Sequence, residues 1–158
     1  MNMQVKAEFV NPFLVSACQV LQTETGTEVT QGPVRLEDSP LESDEVTVLI
    51  GVVGRAQGLV LYGMTEETGC NLVSAMTGER VPEFDAMCES AVAELGNVIT
   101  GLASGELEAA GYPCKIAPPS VVVGKGTSIS TLSIKRLVIP LETGLGSITV
   151  HVALRETY

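Results

Sequence analysis

The stretch ESAVAELGNVITG, residues 89–101, combines an acid, an amide and small residues at helical spacing. Ser90, Glu94, Asn97 and Gly101 stand at i, i+4, i+7 and i+11, and at about 100° per residue they form one stripe along a helix. A carboxylate can pair with a lysine or arginine of a partner, and a carboxamide can accept a hydrogen bond from water while it donates one to an anion. An amide that holds a water in line with a phosphoryl group needs no covalent chemistry of its own, because phosphoryl transfer is accelerated mainly by positioning and electrostatics.

The opposite side of this helix is apolar and is predicted to face the core. Its residues are Cys88, Val92, Leu95, Ile99 and Leu102, with Ala91 and Val98 on the flanks. The stripe is therefore expected on the surface, where polar residues can simply face water and need no function. Solvent alone gives no reason to prefer Asn at 97, however, and the small residues at 90, 93, 101 and 104 would leave Glu94 and Asn97 standing clear on a ridge that fits the cleft of another protein. Gly96, a poor helix former, is interpreted as loosening the helix beside Asn97.

The elements around the stripe predict an α+β fold. Start and stop signals predict three helices, with the limits Asn11 and Pro12 to Gly26, Thr65 to Gly78, and about Glu83 to about Glu108. Residues 45–64 predict a β-hairpin, residues 27–44 a strand or edge hairpin with a loop, and residues 116–154 two or three strands of which the last two form a hairpin. We expect a single domain over residues 1–158, with about three helices packed on a largely antiparallel sheet and the long third helix exposed on one face.

Composition and charge exclude several classes of partner. The net charge of -10 repels phosphate backbones and anionic lipid, so neither nucleic acid nor a membrane surface is an expected partner. The first residues lack a basic segment followed by an apolar one, and the apolar runs are too short to cross a bilayer, which predicts a cytoplasmic protein. The four cysteines, at 18, 70, 88 and 114, form no C-x-x-C pair, so we expect no metal site and interpret Cys18 and Cys88 as buried free thiols. His151 is expected to be structural or solvent-facing.

The segment SAVAELGNVITG resembles the S/D-x-x-x-E-x-x-N helix motif of the CheC, CheX and FliY phosphatases of bacterial chemotaxis. The surrounding chain is similar to CheX-like proteins in the same order: NPF, IGVVGRAQGLVLYGM, AMTGE, PP and LVIPLETGLGSITV. The resemblance covers nearly the whole chain and implies a CheC/CheX-like fold. It also implies a phosphatase that removes the aspartyl phosphate of a CheY-like response regulator, in chemotaxis or related two-component signalling.

The resemblance assigns roles to the stripe by motif position. Glu94 would dock on a lysine of the regulator, Asn97 would orient the hydrolytic water, and Ser90 and Gly101 would belong to the surface that binds the partner. No cofactor is expected in this chain, and Mg2+ is expected on the regulator.

The number of motifs points to one branch of the family. A single motif, where CheC-like members carry two, implies the CheX branch and a homodimer formed through sheet edges. The family's downstream proline usually stands slightly further from the Asn than Pro119 does here. The alternative is a non-catalytic binding or assembly module of a flagellar-switch or signalling complex, because the middle domain of flagellar switch proteins resembles this fold. That domain lacks the motif, so the presence of both Glu94 and Asn97 favours catalysis.

Overall fold

The computed structural model describes residues 6–157, and within them three α-helices lie on an antiparallel sheet. The helices are α1 (Val10–Thr25, after a 3-10 turn at Ala7–Phe9), α2 (Glu66–Thr77) and α3 (Ala86–Ala109). The strands are β1 (Val29–Gln31), β2 (Arg35–Glu37), β3 (Leu41–Glu42), β4 (Val46–Gly54), β5 (Ala56–Met64), β6 (Cys114–Ile116), β7 (Ser120–Val123), β8 (Ser128–Ile129), β9 (Arg136–Thr143) and β10 (Gly146–Glu156). The predicted α+β class is confirmed.

The main sheet has the strand order β1-β9-β10-β5-β4-β6, with β2 also paired to β9 and β7 also paired to β4. Strands β3 and β8 form a separate two-stranded sheet. The predicted hairpins β4–β5 and β9–β10 are both present. A hairpin within residues 27–44 is wrong, because the N–H of Gly32 donates to the Pro140 carbonyl at 2.8 Å and so keeps the chain running along β9 from β1 to β2. From Ile116 onward the chain holds the end of β6 and four further strands, β7 to β10, rather than two or three strands.

Two of the three helix starts differ from the prediction. Thr65 caps α2 as expected, since its side chain accepts from the Thr68 N–H at 3.1 Å. Helix α1 begins at Val10 rather than at Pro12 after an N-cap at Asn11, because a 3-10 turn leads directly into it. Helix α3 begins three residues after Glu83, where the Asp85 side chain accepts from the N–H of Cys88 at 3.0 Å. The start of α3 is therefore set by local capping rather than by the apolar period.

One aliphatic core lies between the helices and the sheet. Alternate residues of β4, from Val46 to Val52, point into it, and α3 packs against β4, β5 and α1. After α3 the chain reverses and runs through β6 and β7, which pair in succession with β4 and lie beside α3. Helix α3 is thus held by the sheet below, by α1 on one flank and by this edge strand on the other.

The opposite face of the sheet carries a buried polar cluster. His151 is 9% exposed, and its Nδ1 accepts from Nε of Arg136 at 3.2 Å, while Arg136 pairs with Glu37 at 2.9 Å. Burial, and then the charge of Arg136, lowers the pKa of His151 to about 4. His151 is therefore a neutral structural residue rather than a solvent-facing one.

The four cysteines are free thiols. Cys88 is buried as expected, but Cys18 lies on the flank of α1 and is half-buried, because Ala17 and Leu21 occupy the face turned to the core. Among the described residues no helix is long and apolar enough to span a membrane.

Candidate functional site

Helix α3 presents the predicted stripe on its outer side. Ser90 and Glu94 are exposed, and Asn97 and Gly101 are half-buried. The residues of α3 that are buried are Cys88, Val92, Leu95, Gly96, Ile99, Thr100, Ala103 and Leu107. At about 100° per residue the stripe lies about 160° from the centre of this buried face. The structure therefore brings all four predicted site residues together on one surface.

The buried face is turned relative to the predicted one. Leu102, which was expected in the core, is 45% exposed, and Val98 beside it is 39% exposed. Gly96 and Thr100 occupy the sheet-facing side instead, which moves the centre of the buried face by about 50°. Apolar periodicity missed this rotation because it gives no weight to a glycine or a threonine.

Gly96 sits where α3 comes very close to the sheet. A Cβ added at this position would lie 3.1 Å from Cγ1 of Val48 and 3.2 Å from Cδ2 of Tyr62. Distances this short are tighter than ordinary van der Waals contact, so the absence of a side chain permits the close approach. The helix runs unbroken through Gly96, which replaces the interpretation of a loosened helix with a packing reason.

A chain of buried hydroxyl groups lies beneath the stripe. The hydroxyl of Tyr62 on β5 is 2.7 Å from Oγ1 of Thr100, and Oγ1 of Thr100 is 2.7 Å from the carbonyl oxygen of Gly96. Both hydroxyl residues are at most 2% exposed. Sequence reasoning missed this pair, although a hydroxyl residue four positions after a glycine inside a helix is a usable signal for such a bond.

The edge strand formed by β6 and β7 flanks the stripe on one side. A Cβ on Gly101 would lie 4.0 Å from Cδ1 of Ile116, so the helix and β6 are in ordinary contact there. Pro119 lies between β6 and β7, where the ladder to β4 is interrupted and Ala117 donates its N–H to the Gly51 carbonyl at 2.9 Å. The proline that follows the motif in sequence is therefore in the short break between the two strands that run beside the motif helix.

Two side chains of the stripe, Glu94 and Asn97, are free to engage a partner. Within residues 6–157 neither Glu94 nor Asn97 makes a side-chain hydrogen bond or ion pair with another residue. Three positions apart on a helix, their Cβ atoms are about 5–6 Å from each other, so one partner surface can engage both. Within the same described residues no group of three or more His, Cys, Asp or Glu side chains is placed to hold a metal ion. The stripe can thus offer a charge and a water-binding amide.

Comparison with known proteins places this geometry in a family. Residues 46–142, which include the stripe, match the family model described as chemotaxis phosphatase CheX. The chain is 32% identical to the CheY-P phosphatase CheX of Thermotoga maritima over 130 residues, which cover 81% of this chain and 83% of the relative.

Solved structures agree over almost the full chain. A CheC-like superfamily protein from Shewanella sp. PV-4 superposes with a TM-score of 0.85 at 30% identity, covering 96% of this chain and 99% of that one. The CheX-CheY-BeF3-Mg2+ complex from Borrelia burgdorferi matches with a TM-score of 0.82 at 27% identity, covering 96% of this chain and 100% of the matched chain.

Proposed function

The chain belongs to the chemotaxis phosphatase CheX family, and we propose that it hydrolyses the aspartyl phosphate of a CheY-like receiver domain. The family makes the chain a phosphatase. The observation that carries the proposed substrate is the stripe itself, in which Glu94 and Asn97 stand uncommitted on the exposed side of α3. The Borrelia relative in complex with CheY supports a receiver as the partner.

In the proposed mechanism α3 enters the receiver's active site as a ridge. Glu94 pairs with a lysine of the receiver and fixes the position of the helix. The Asn97 side-chain oxygen accepts a hydrogen bond from a water, and its NH2 group donates to a phosphoryl oxygen. Held in line, the water forms a new P–O bond while the bond from phosphorus to the aspartyl oxygen breaks, which yields inorganic phosphate and a free carboxylate. Mg2+ is held by the receiver and supplies charge neutralisation there.

The small residues of the stripe permit this approach. Ser90 lies one turn before Glu94 and Gly101 one turn after Asn97, so no large side chain of the stripe blocks the partner at either end. Gly101 in addition leaves room beside Ile116, where the edge strand runs close to the helix. We propose that Ser90 and Gly101 form the ends of the docking surface.

Net charge does not assist this encounter. The chain carries -10, and a receiver's phosphorylation pocket is itself acidic, so long-range steering is unfavourable. Recognition then depends on local pairs, of which Glu94 with a lysine is the one that the stripe offers.

The remaining features follow the family resemblance. We propose that residues 1–158 act as one cytoplasmic domain and that two copies pair through a sheet edge. The main sheet ends at β1 and β2 on one side and at β6 and β7 on the other, so both edges have backbone groups that a second copy could pair with.

The test is the decay of phosphate on a cognate receiver with Mg2+, alone and with each variant. Wild type is expected to accelerate the decay. Asn97→Ala is expected to lose about 100-fold in kcat, because one positioned polar group contributes on this scale. Glu94→Gln is expected to raise KM for the receiver more than it lowers kcat, whereas Glu106→Gln, an exposed glutamate of α3 outside the stripe, is its matched control.

Two outcomes would contradict the proposal. Undiminished turnover by Asn97→Ala would refute the role of the amide. Tight binding of signalling or motor components without any effect on receiver phosphate would instead favour the assembly module.

A further inference from the structure

The buried hydroxyl chain under α3 has a fixed direction. A carbonyl oxygen can only accept, so the single hydroxyl proton of Thr100 is donated to the Gly96 carbonyl at 2.7 Å. Tyr62 must then donate to Oγ1 of Thr100 across the second 2.7 Å contact. Burial raises the pKa of Tyr62, so its phenol keeps this proton at neutral pH. The two hydrogen bonds therefore run in one direction, from Tyr62 on the sheet through Thr100 to the carbonyl of Gly96 in the helix.

That peptide group is the one that leads into Asn97. The carbonyl of Gly96 and the N–H of Asn97 belong to the same planar unit, so a bond that fixes the orientation of the carbonyl also fixes the backbone from which the Asn97 side chain projects. The ring of Tyr62 acts on the same place, since its Cδ2 would lie 3.2 Å from a Cβ at Gly96. Tyr62 therefore lies close to residue 96 through its ring and is linked to its carbonyl through Thr100.

We propose that Thr100 and Tyr62 are positioning residues for Asn97, a role that rests on the proposed function. Neither is accessible to the reacting atoms of a docked partner, because Thr100 on α3 and Tyr62 on β5 are at most 2% exposed. Valine and phenylalanine would fill the same volume in this aliphatic core without polar atoms. The Thr100 hydroxyl bonds back to the carbonyl four residues earlier, and a bond of this kind often bends a helix locally. Apolar residues in place of Thr100 and Tyr62 cannot form these bonds.

A matched control exists elsewhere in the chain. Thr131 is 1% exposed and donates its hydroxyl to the Ile134 carbonyl at 2.7 Å, in a turn between β8 and β9. Thr131→Val removes a buried hydroxyl bond of the same kind and length as Thr100→Val does, without touching α3. Each variant loses one buried hydrogen bond, so a difference in activity between them is due to where the lost bond lies in the fold.

The experiment measures kcat and KM on a phosphorylated receiver with Mg2+. Thr100→Val is expected to lower kcat about tenfold with KM changed less than about twofold, because the helix still docks but the amide is misplaced. Tyr62→Phe is expected to lower kcat less, since Thr100 can still donate to Gly96. Thr100→Ser, which keeps the hydroxyl, is expected to restore kcat, and Thr131→Val to leave it unchanged.

A second readout does not depend on turnover. Amide hydrogen exchange at Asn97 is expected to be at least about fivefold faster in Thr100→Val than in Thr131→Val, because the peptide that carries the Asn97 N–H has lost the side-chain hydrogen bond that supplements its helical one. Equal exchange in the two variants, or wild-type kcat in Thr100→Val, would overturn the inference alone. A wild-type protein that leaves receiver phosphate untouched would overturn the proposed function and the catalytic part of this inference with it.

Discussion

Helix α3 contains three glycines whose surroundings differ. The same glycine-to-alanine substitution at each of them therefore tests how closely the helix approaches the sheet. Replacing a glycine by alanine in a helix interior stabilises it by up to about 1 kcal/mol when nothing else changes. At Gly105 no atom lies within 4 Å of the new Cβ, so Gly105→Ala is expected to raise the free energy of unfolding by about 1 kcal/mol. Gly101→Ala would meet Cδ1 of Ile116 at 4.0 Å, an ordinary contact, and should behave in the same way in a stability assay.

Gly96→Ala should behave differently. Its methyl group would lie 3.1 Å from Val48 and 3.2 Å from Tyr62, and overpacking of a core typically costs about 1–3 kcal/mol. A cavity of about 10 Å³ adjoins this point and is lined by Tyr62 and Gly96 but not by Val48, so it offers no space on the Val48 side. After the helix-propensity gain is subtracted, Gly96→Ala is expected to be about 0–2 kcal/mol less stable than wild type.

Urea denaturation of the two variants measures the difference. Because the propensity gain is shared, the gap between Gly105→Ala and Gly96→Ala reports packing, and we expect about 1–3 kcal/mol at an unchanged m-value. Two variants with unfolding free energies within about 0.5 kcal/mol of each other would refute the close approach and the packing role given to Gly96.

Two further predictions concern the cluster behind the sheet and the rotation of α3. The pKa of His151 is about 4 in the folded chain against 6.5 as its ordinary value, so the unfolded state binds a proton that the native state does not. The free energy of unfolding should therefore be at its highest above pH 6.5 and fall by up to about 3 kcal/mol toward pH 4. In His151→Gln the free energy of unfolding should depend less steeply on pH over this range. An equal pH dependence in both proteins would contradict the buried neutral imidazole. Leu102→Ala should change the free energy of unfolding by less than about 1 kcal/mol, whereas Leu95→Ala, at a position 5% exposed, should cost about 2–5 kcal/mol in the same denaturation assay. Equal losses would mean that Leu102 lies in the core after all.

Most of the fold could be predicted because its signals are local. Thr65 and Gly78 bracket α2, and the alternation of β4 and β5 around a glycine-bearing turn defines the central hairpin. The segment before β4 could not be read this way. Strands β1 and β2 pair with β9 and β3 pairs with β8, each about a hundred residues later in the chain, and such pairing depends on the assembled sheet rather than on neighbouring residues.

The stripe could be predicted from residue spacing, but the buried hydrogen bonds beneath it could not. Ser90, Glu94, Asn97 and Gly101 share a face by helical period alone. The bond between Tyr62 and Thr100 joins residues 38 positions apart, so only the packing of α3 on β5 brings the two hydroxyl groups together. Leu102 is exposed because of the same packing. Helix α3 turns toward the sheet the side on which its backbone can approach most closely, which is the side of Gly96.

The placement of the stripe on a 24-residue helix held on three sides affects the entropy of recognition. A binding residue on a loose loop loses backbone freedom at the moment of association, at about 1–2 kcal/mol per residue. For Asn97 and Glu94, the proposed binding residues, the backbone is ordered once the chain has folded, and only the side-chain torsions would be left to be fixed, at about 0.5–1.5 kcal/mol for each side chain. The proposed docking surface, two polar groups and their small neighbours, therefore loses less entropy on association than the same groups on a loose loop would lose.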